Sequence, residues 1–230
     1  MVSHFPNGVS DDRLGLNYDF PALNSSRTYG ILQNGSEYLA GNYTVTTTGS
    51  DTATITAGKG GLLTLTNGAS NADNIFLQWK GGNSTTIEPF LFEANKKIVF
   101  KTRFKVDNVT NSQLVFGLQK TDTTPLAVSD GVYFLKVNST ASVSLILAKS
   151  STLTTLASVA TVVNDTFIEL AYYYNGAGKI EVFVNGAKTV TQTDLTNLPT
   201  VPLTLSYGVQ NASAVSRVLS INYIHSQGEF

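Results

Sequence analysis

The sequence predicts an all-β protein: an antiparallel two-sheet sandwich carried behind an extended N-terminal arm. Three observations predict it. From about Ser70 to Tyr223, apolar and polar residues alternate at every second position, the period of a strand with one buried face. Turn signals such as Asn67-Gly68, Asp130-Gly131, Asn175-Gly176 and Asn185-Gly186 break that alternation at short intervals. No window carries a helical period, and no internal repeat marks a solenoid or propeller. Roughly a dozen strands need two packed sheets or a closed barrel, because a single sheet would leave an apolar face in water.

Residues 1 to about 40 read as the arm and 41–230 as the sandwich. Pro6-Asn7-Gly8 is a turn signal. Leu14, Leu16, Tyr18 and Phe20 are then set among Asp11, Asp12, Asn17 and Asp19 without periodicity. The segment is too apolar for a free disordered tail and too irregular for a core of its own. It lies either on its own domain or on a neighbouring subunit. In the second case His4, Phe5, Pro6, Asn7, Leu14, Leu16, Tyr18 and Phe20 are its contact candidates.

The strands follow in order. Asn42–Thr48, Thr52–Thr56 and Leu62–Thr66 are short and rich in Thr, which suits a pleated surface. Ile75, Leu77 and Trp79 share one face of the next. Lys96–Val106 alternates most clearly: Ile98, Phe100, Thr102, Phe104 and Val106 fall on one side, Lys97, Lys101, Arg103 and Lys105 on the other. The basic stripe is either a solvated face that discourages edge aggregation or a docking face for an acidic partner. Leu114, Phe116 and Leu118, then Val132–Val137, then Val143, Leu145 and Leu147 continue the pattern. Phe167–Tyr174 and Lys179–Asn185 flank a four-residue hairpin loop, 175–178, and a further strand is expected over Lys188–Gln192. Leu203, Leu205, Tyr207 and Val209 face one way, as do Leu219, Ile221 and Tyr223.

Composition removes most chemistries. The 230 residues include no Cys and two His, so thiolate metal sites, disulfide scaffolds and Cys nucleophiles are excluded and a His-rich zinc site cannot be built. Net charge is −1 and charged residues make up 13%, about half the usual ~25%. A nucleic-acid partner is therefore not expected. Neither is a membrane span, which needs ~20 apolar residues in a row. Met1–Pro6 has no apolar run, so no secretory leader is expected. There is no Gly-x-Ser-x-Gly elbow and no EF-hand spacing. Asp122 and Asp130 flank one loop and could hold calcium, but turn chemistry explains both. No cofactor is expected.

A glycosidase needs two carboxylates ~5–9.5 Å apart. Asp165 and Glu169 are the best candidates, but four strand residues put their Cα atoms roughly 13 Å apart. With a four-residue loop, Glu181 falls opposite Tyr172, on the face away from Glu169. No enzymatic activity is expected. Sugar binding is harder to set aside. Trp79, Tyr172 and Tyr174 could offer stacking faces, or could be core packing.

The unit Asn164–Leu170, Tyr172-Tyr173-Tyr174-Asn175-Gly176 and Ile180–Gly186 resembles the laminin-G-like or concanavalin-A-like jelly roll. A further resemblance covers most of the chain. His4-Phe5-Pro6-Asn7-Gly8-Val9, Lys97–Lys105, Leu118–Leu126, Asp130–Phe134, Thr196–Pro199, Gly208–Asn211 and Ile221–Ile224 resemble, in the same order, a group of tailed-bacteriophage head proteins. Residues 10–60 match least. The resemblance implies a structural virion protein, a decoration or head auxiliary protein made in the host cytoplasm and bound to the capsid exterior. The arm would then contact the major capsid protein or an adjacent copy. Shell symmetry favours a homo-oligomer, with a trimer at a local three-fold axis as one form. The alternative is a carbohydrate-binding module with glycans as partners; the two can coexist on one virion surface.

Overall fold

The computed structural model describes residues 28–82 and 86–230. Its strands are β1 (Thr28–Asn34), β2 (Tyr43–Thr48), β3 (Thr52–Thr56), β4 (Leu62–Thr66), β5 (Asn74–Trp79), β6 (Ile98–Val106), β7 (Ser112–Gln119), β8 (Gly131–Lys136), β9 (Ser142–Lys149), β10 (Thr152–Thr161), β11 (Ile168–Tyr174), β12 (Ile180–Val184), β13 (Ala187–Gln192), β14 (Thr204–Asn211) and β15 (Val218–Glu229). They form two antiparallel sheets. One has seven strands in the order β10-β9-β8-β7-β14-β5-β2. The other has eight, in the order β13-β12-β11-β6-β15-β4-β3, with β1 also on β15. The expected two-sheet sandwich is what the chain builds, and its architecture is the concanavalin-A-like jelly roll.

Alternation places the core. Ile98, Phe100, Phe104 and Val106 of β6 point inward and meet Phe116 of β7 and Phe134 of β8 from the opposite sheet. Phe104 and Phe116 stack across the sandwich with centroids 4.2 Å apart, and Phe100 stacks on Tyr172 at 5.1 Å. Such rings contribute the bulk of the burial that holds two sheets together. The Tyr172 hydroxyl donates to the Val132 carbonyl at 3.0 Å, so burial leaves no orphaned phenol.

Part of the segment read as the arm is a strand. Thr28–Asn34 pairs along β15 from Thr28↔Glu229 to Asn34↔Tyr223, so this part lies on its own domain. Short-range pattern could not show it, because the partner strand is some 200 residues away in the chain. Residues 1–27, with His4, Phe5, Pro6, Asn7, Leu14, Leu16, Tyr18 and Phe20, lie outside the described residues. A second difference is β10, which the alternation missed. Its register on β9 shifts between Leu156 and Ala160, and Ser158 sits at φ +56°. A bulge of this kind inserts residues and breaks the period of two.

Candidate functional site

The two sheets present different outer faces. On the seven-stranded sheet, Phe76, Val115, Tyr133, Ile146 and Ala148 form an apolar patch on the side away from the core, and Val128 and Leu126 of the 120–130 loop cover it. Glycine makes the room. A Cβ at Gly208 would stand 2.5 Å from the Phe76 ring, and one at Gly117 would stand 2.5 Å from Tyr133. The loop is pinned at several points. Gln119 Nε2 donates to the Pro125 carbonyl (2.8 Å), the Asp122 amide to Gln78 Oε1 (3.0 Å), and the Thr121 amide to Glu88 Oε1 (2.7 Å). Asp122 caps Thr124 and Asp130 accepts from the Ser150 amide, so both acids serve as turn residues, as their positions predict.

The eight-stranded sheet carries an open groove of about 620 Å³. It is bordered by Leu32 and Asn34 at the end of β1, by Lys59 in the β3–β4 loop, by Arg103 of β6, by Phe167 just before β11, and by Asn222 and Tyr223 of β15. Its shape comes from a bulge. β15 pairs Ile221↔Phe104 and then Tyr223↔Arg103, leaving Asn222 as the extra residue. The bulge re-aims the side chains beyond it. Tyr223 therefore leaves the inward set of Leu219 and Ile221, where strict alternation puts it, and turns to the outer face.

Within the groove the polar groups are tied to one another. Arg103 lies over Phe167, its guanidinium carbon 4.2 Å from the ring centroid, and donates from one NH to Asn222 Oδ1 at 3.2 Å. Asn222 Nδ2 donates in turn to the Lys59 carbonyl at 3.0 Å, which fixes the β3–β4 loop against β15. Gly60 and Gly61 in that loop adopt φ +79° and +74°, a left-handed conformation that favours glycine. Glu169 has both oxygens engaged: one by Lys101 Nζ at 3.0 Å, the other by the Tyr223 hydroxyl.

Of the four basic residues predicted on one face, Arg103 lines the groove. Lys101 is almost wholly buried, its side chain 4% exposed, in its pair with Glu169. Lys105 stands 3.8 Å from Asp165, and Lys97 stands 3.8 Å from Glu229. The stripe does not guard an edge. β6 is a central strand between β11 and β15, and Val99, Ala171, Tyr173 and Phe183 form a small buried cluster beside it.

The stacking candidates are also redistributed. Tyr172 and Tyr174 point inward and belong to the core, Tyr174 edge-on to Phe92. Tyr173 takes the outer face but is itself buried. Trp79 sits half-buried at the rim, lining a second hollow of about 230 Å³ with Gln33, Asn42 and Tyr43. Sequence reasoning did not single out Phe167, Asn222, Lys59 or Leu32 as site residues. Only the non-local pairing of β15 with β1, β4 and β6 brings them together.

No catalytic pair emerges from the candidate carboxylates. The 175–178 loop is closed by Asn175 and Lys179, one residue longer than expected, so Glu181 pairs with Tyr173 and shares the outer face with Glu169. Glu181 is held by Lys179 at 2.9 Å and Lys188 at 3.2 Å, and these partners keep its carboxyl below the usual range. Asp165 occupies a turn at φ +53°. Among the described residues, no group of three or more His, Cys, Asp or Glu gathers as a metal site.

No family model matches the chain, and no curated protein matches it. Solved structures do. A Shewanella oneidensis MR-1 protein of unknown function superposes with a TM-score of 0.61 at 13% identity, over 88% of this chain and 87% of that one. An endo-β-1,4-glucuronan lyase from the fungus Trichoderma reesei gives 0.58 at 9%, over 87% and 94%. Peanut lectin gives 0.57 at 14%, over 87% and 97%. At such identities the likeness is one of fold, and fold alone assigns no chemistry.

Proposed function

We propose that the chain is a lectin-like binding module, not a catalyst, and that the groove on the eight-stranded sheet takes a carbohydrate. One observation carries the reading: an open hollow of about 620 Å³ joins an aromatic ring, a guanidinium, an amide and a phenol on a rigid sheet. Sugars present apolar C–H faces and a rim of polar groups, which such a mixed lining suits. The carboxylates that would convert a sugar are already consumed by Lys101, Tyr223, Lys179 and Lys188. The lectin among the similar folds supports the same reading. A glycan array followed by titration calorimetry tests it: binding should appear, and Phe167→Ala should weaken it. Binding that survives Phe167→Ala and moves with Trp79→Ala would transfer the site to the second hollow.

A second reading concerns where the module works. The ordered blocks from His4–Val9 to Ile221–Ile224 favour a phage capsid exterior, with residues 1–27 reaching the major capsid protein or an adjacent copy. Removing residues 2–27 leaves the sequence of every described strand intact. The truncated protein should remain folded and no longer co-sediment with capsids. Co-sedimentation equal to that of the full chain would remove the N-terminal segment from this account.

A further inference from the structure

We infer that the groove selects acidic sugars, those bearing a carboxylate, over neutral ones. The inference rests on the carbohydrate reading above and adds the ligand's charge. It comes from a count of donors and acceptors. Neutral sugars present hydroxyls, which need acceptors as well as donors from the protein. In this groove the side-chain carbonyl and carboxylate oxygens are each engaged by at least one donor already. Asn222 Oδ1 accepts from Arg103, Asn34 Oδ1 accepts from the Ser36 amide at 3.1 Å, and the two Glu169 oxygens accept from Lys101 and Tyr223. Donors remain. Arg103 carries five N–H groups in a planar fork, and a single one goes to Asn222. Lys59, also lining the groove, is exposed.

Charge agrees with the count. Arg103 and Lys59 line the hollow, and Lys105 Nζ stands 5.7 Å from the Phe167 ring at its rim. Against them stand Glu169, neutralised by Lys101, and Asp165, 70% exposed beyond Lys105. The guanidinium is also held in place, between the Phe167 ring and its hydrogen bond to Asn222. A fixed guanidinium fork matches the two oxygens of a carboxylate with parallel hydrogen bonds, and little side-chain freedom is left to lose on binding. A uronate or sialate would set its carboxylate on Arg103, with Lys59 as a second cation.

The test titrates the full chain with acidic glycans and their neutral counterparts: polygalacturonate against its methyl ester, and sialyllactose against lactose. At least one acid should bind. Its neutral counterpart should bind about tenfold more weakly or worse, the cost of a lost charge-assisted contact. Arg103→Gln should remove that preference and Arg103→Lys restore part of it, with circular dichroism and melting temperature checking each fold. Added salt should weaken the acid alone. Equal or tighter binding of the neutral partner would overturn the acidic preference and leave the carbohydrate reading standing. Acid binding indifferent to both Arg103 variants would overturn the assignment of charge to this groove. No binding to any member would overturn the carbohydrate reading and this inference with it.

Discussion

The outer face of the seven-stranded sheet and that of the eight-stranded sheet are built from the same alternation and end in opposite states. The first is apolar and sealed by the chain's own 120–130 loop, so Tyr133 and Phe76 are as buried as core residues. The second keeps a polar, open groove beside a small buried cluster of Val99, Ala171, Tyr173 and Phe183, and its charged side chains are organised by pairing around a bulge in β15. Sealing converts an outer face into stability. Leaving the other open reserves it for contact. The difference also shows what fills the space over Phe76 and Tyr133: Val128 and Leu126.

The contrast is easiest to break from the sealed side. Tyr133→Ala should cost about 3–5 kcal/mol, the range for a buried aromatic truncated to Ala, because the loop above it cannot collapse into the hole. Urea unfolding of the variant would read this as a lower midpoint at unchanged slope. A loss below about 0.5 kcal/mol would mean that the loop does not cover the face in solution. On the open face the largest effect should come from Glu169→Gln. It removes one ion pair of the almost fully buried Lys101 and should cost about 1.5–3 kcal/mol. The Glu169→Gln, Lys101→Met double variant should recover much of that, which separates the loss of that pair from a packing defect.

Two buried lysines sharpen the comparison further. Lys101 on the open sheet has an acid partner. Lys136, on the inner face of β8, donates instead to the carbonyls of Val109 and Ser112 and to Ser112 Oγ at 3.3 Å. Burial pushes its ammonium down from 10.5 to about 8. The folded state thus sheds this proton at a lower pH than the unfolded chain does. Between those two values the unfolded chain holds more protons, so stability should rise with pH. Burial pushes Tyr43 and Tyr133 the other way, up to about 12, so their contribution is lost above the ordinary tyrosine value of 10. From pH 7 to 9 these tyrosines, and the others that burial raises, are still largely protonated in either state, so the lysine dominates and the free energy of unfolding should climb by about 1 kcal/mol. Lys136→Met should flatten that rise; an equally steep rise in the variant would assign it to another group.

Much of the sandwich was legible because its strands obey a period of two. β6, β7, β9 and β14 each announce their inward set, and Gly-containing pairs mark the hairpins. What the sequence hid was irregular or distant. β10 escaped because its bulge shifts the register midway. β1 escaped because its partner closes the chain. Tyr223 was placed inward because a bulge adds one residue and reverses every later side chain, a change that alternation alone cannot register. The groove depends on both failures, since Leu32 and Asn34 come from β1 and Asn222 and Tyr223 from the bulge. Arg103 was visible as a member of a basic stripe, yet its separation from Lys101 and Lys105 came only with their partners, Glu169 and Asp165.

The smallest effect on stability should belong to Phe167→Ala, and it divides the two faces most sharply. Phe167 is half-exposed, outside the core, and its described ring contacts are the cations of Arg103 and Lys105. Truncation should cost about 0.5–1 kcal/mol, the worth of an exposed cation–π contact, against several for Tyr133 on the sealed face. Its effect on the groove should be larger than its effect on the fold. Without the ring, the Arg103 guanidinium keeps Asn222 as a single tether and regains rotation about it, so a ligand must then supply the ordering that the ring now provides. Calorimetry should therefore show weaker binding with a less favourable entropy, at nearly unchanged melting temperature. A fall in melting temperature as large as that of Tyr133→Ala would show that the eight-stranded face is packed for stability after all, and the distinction between the two faces would go with it.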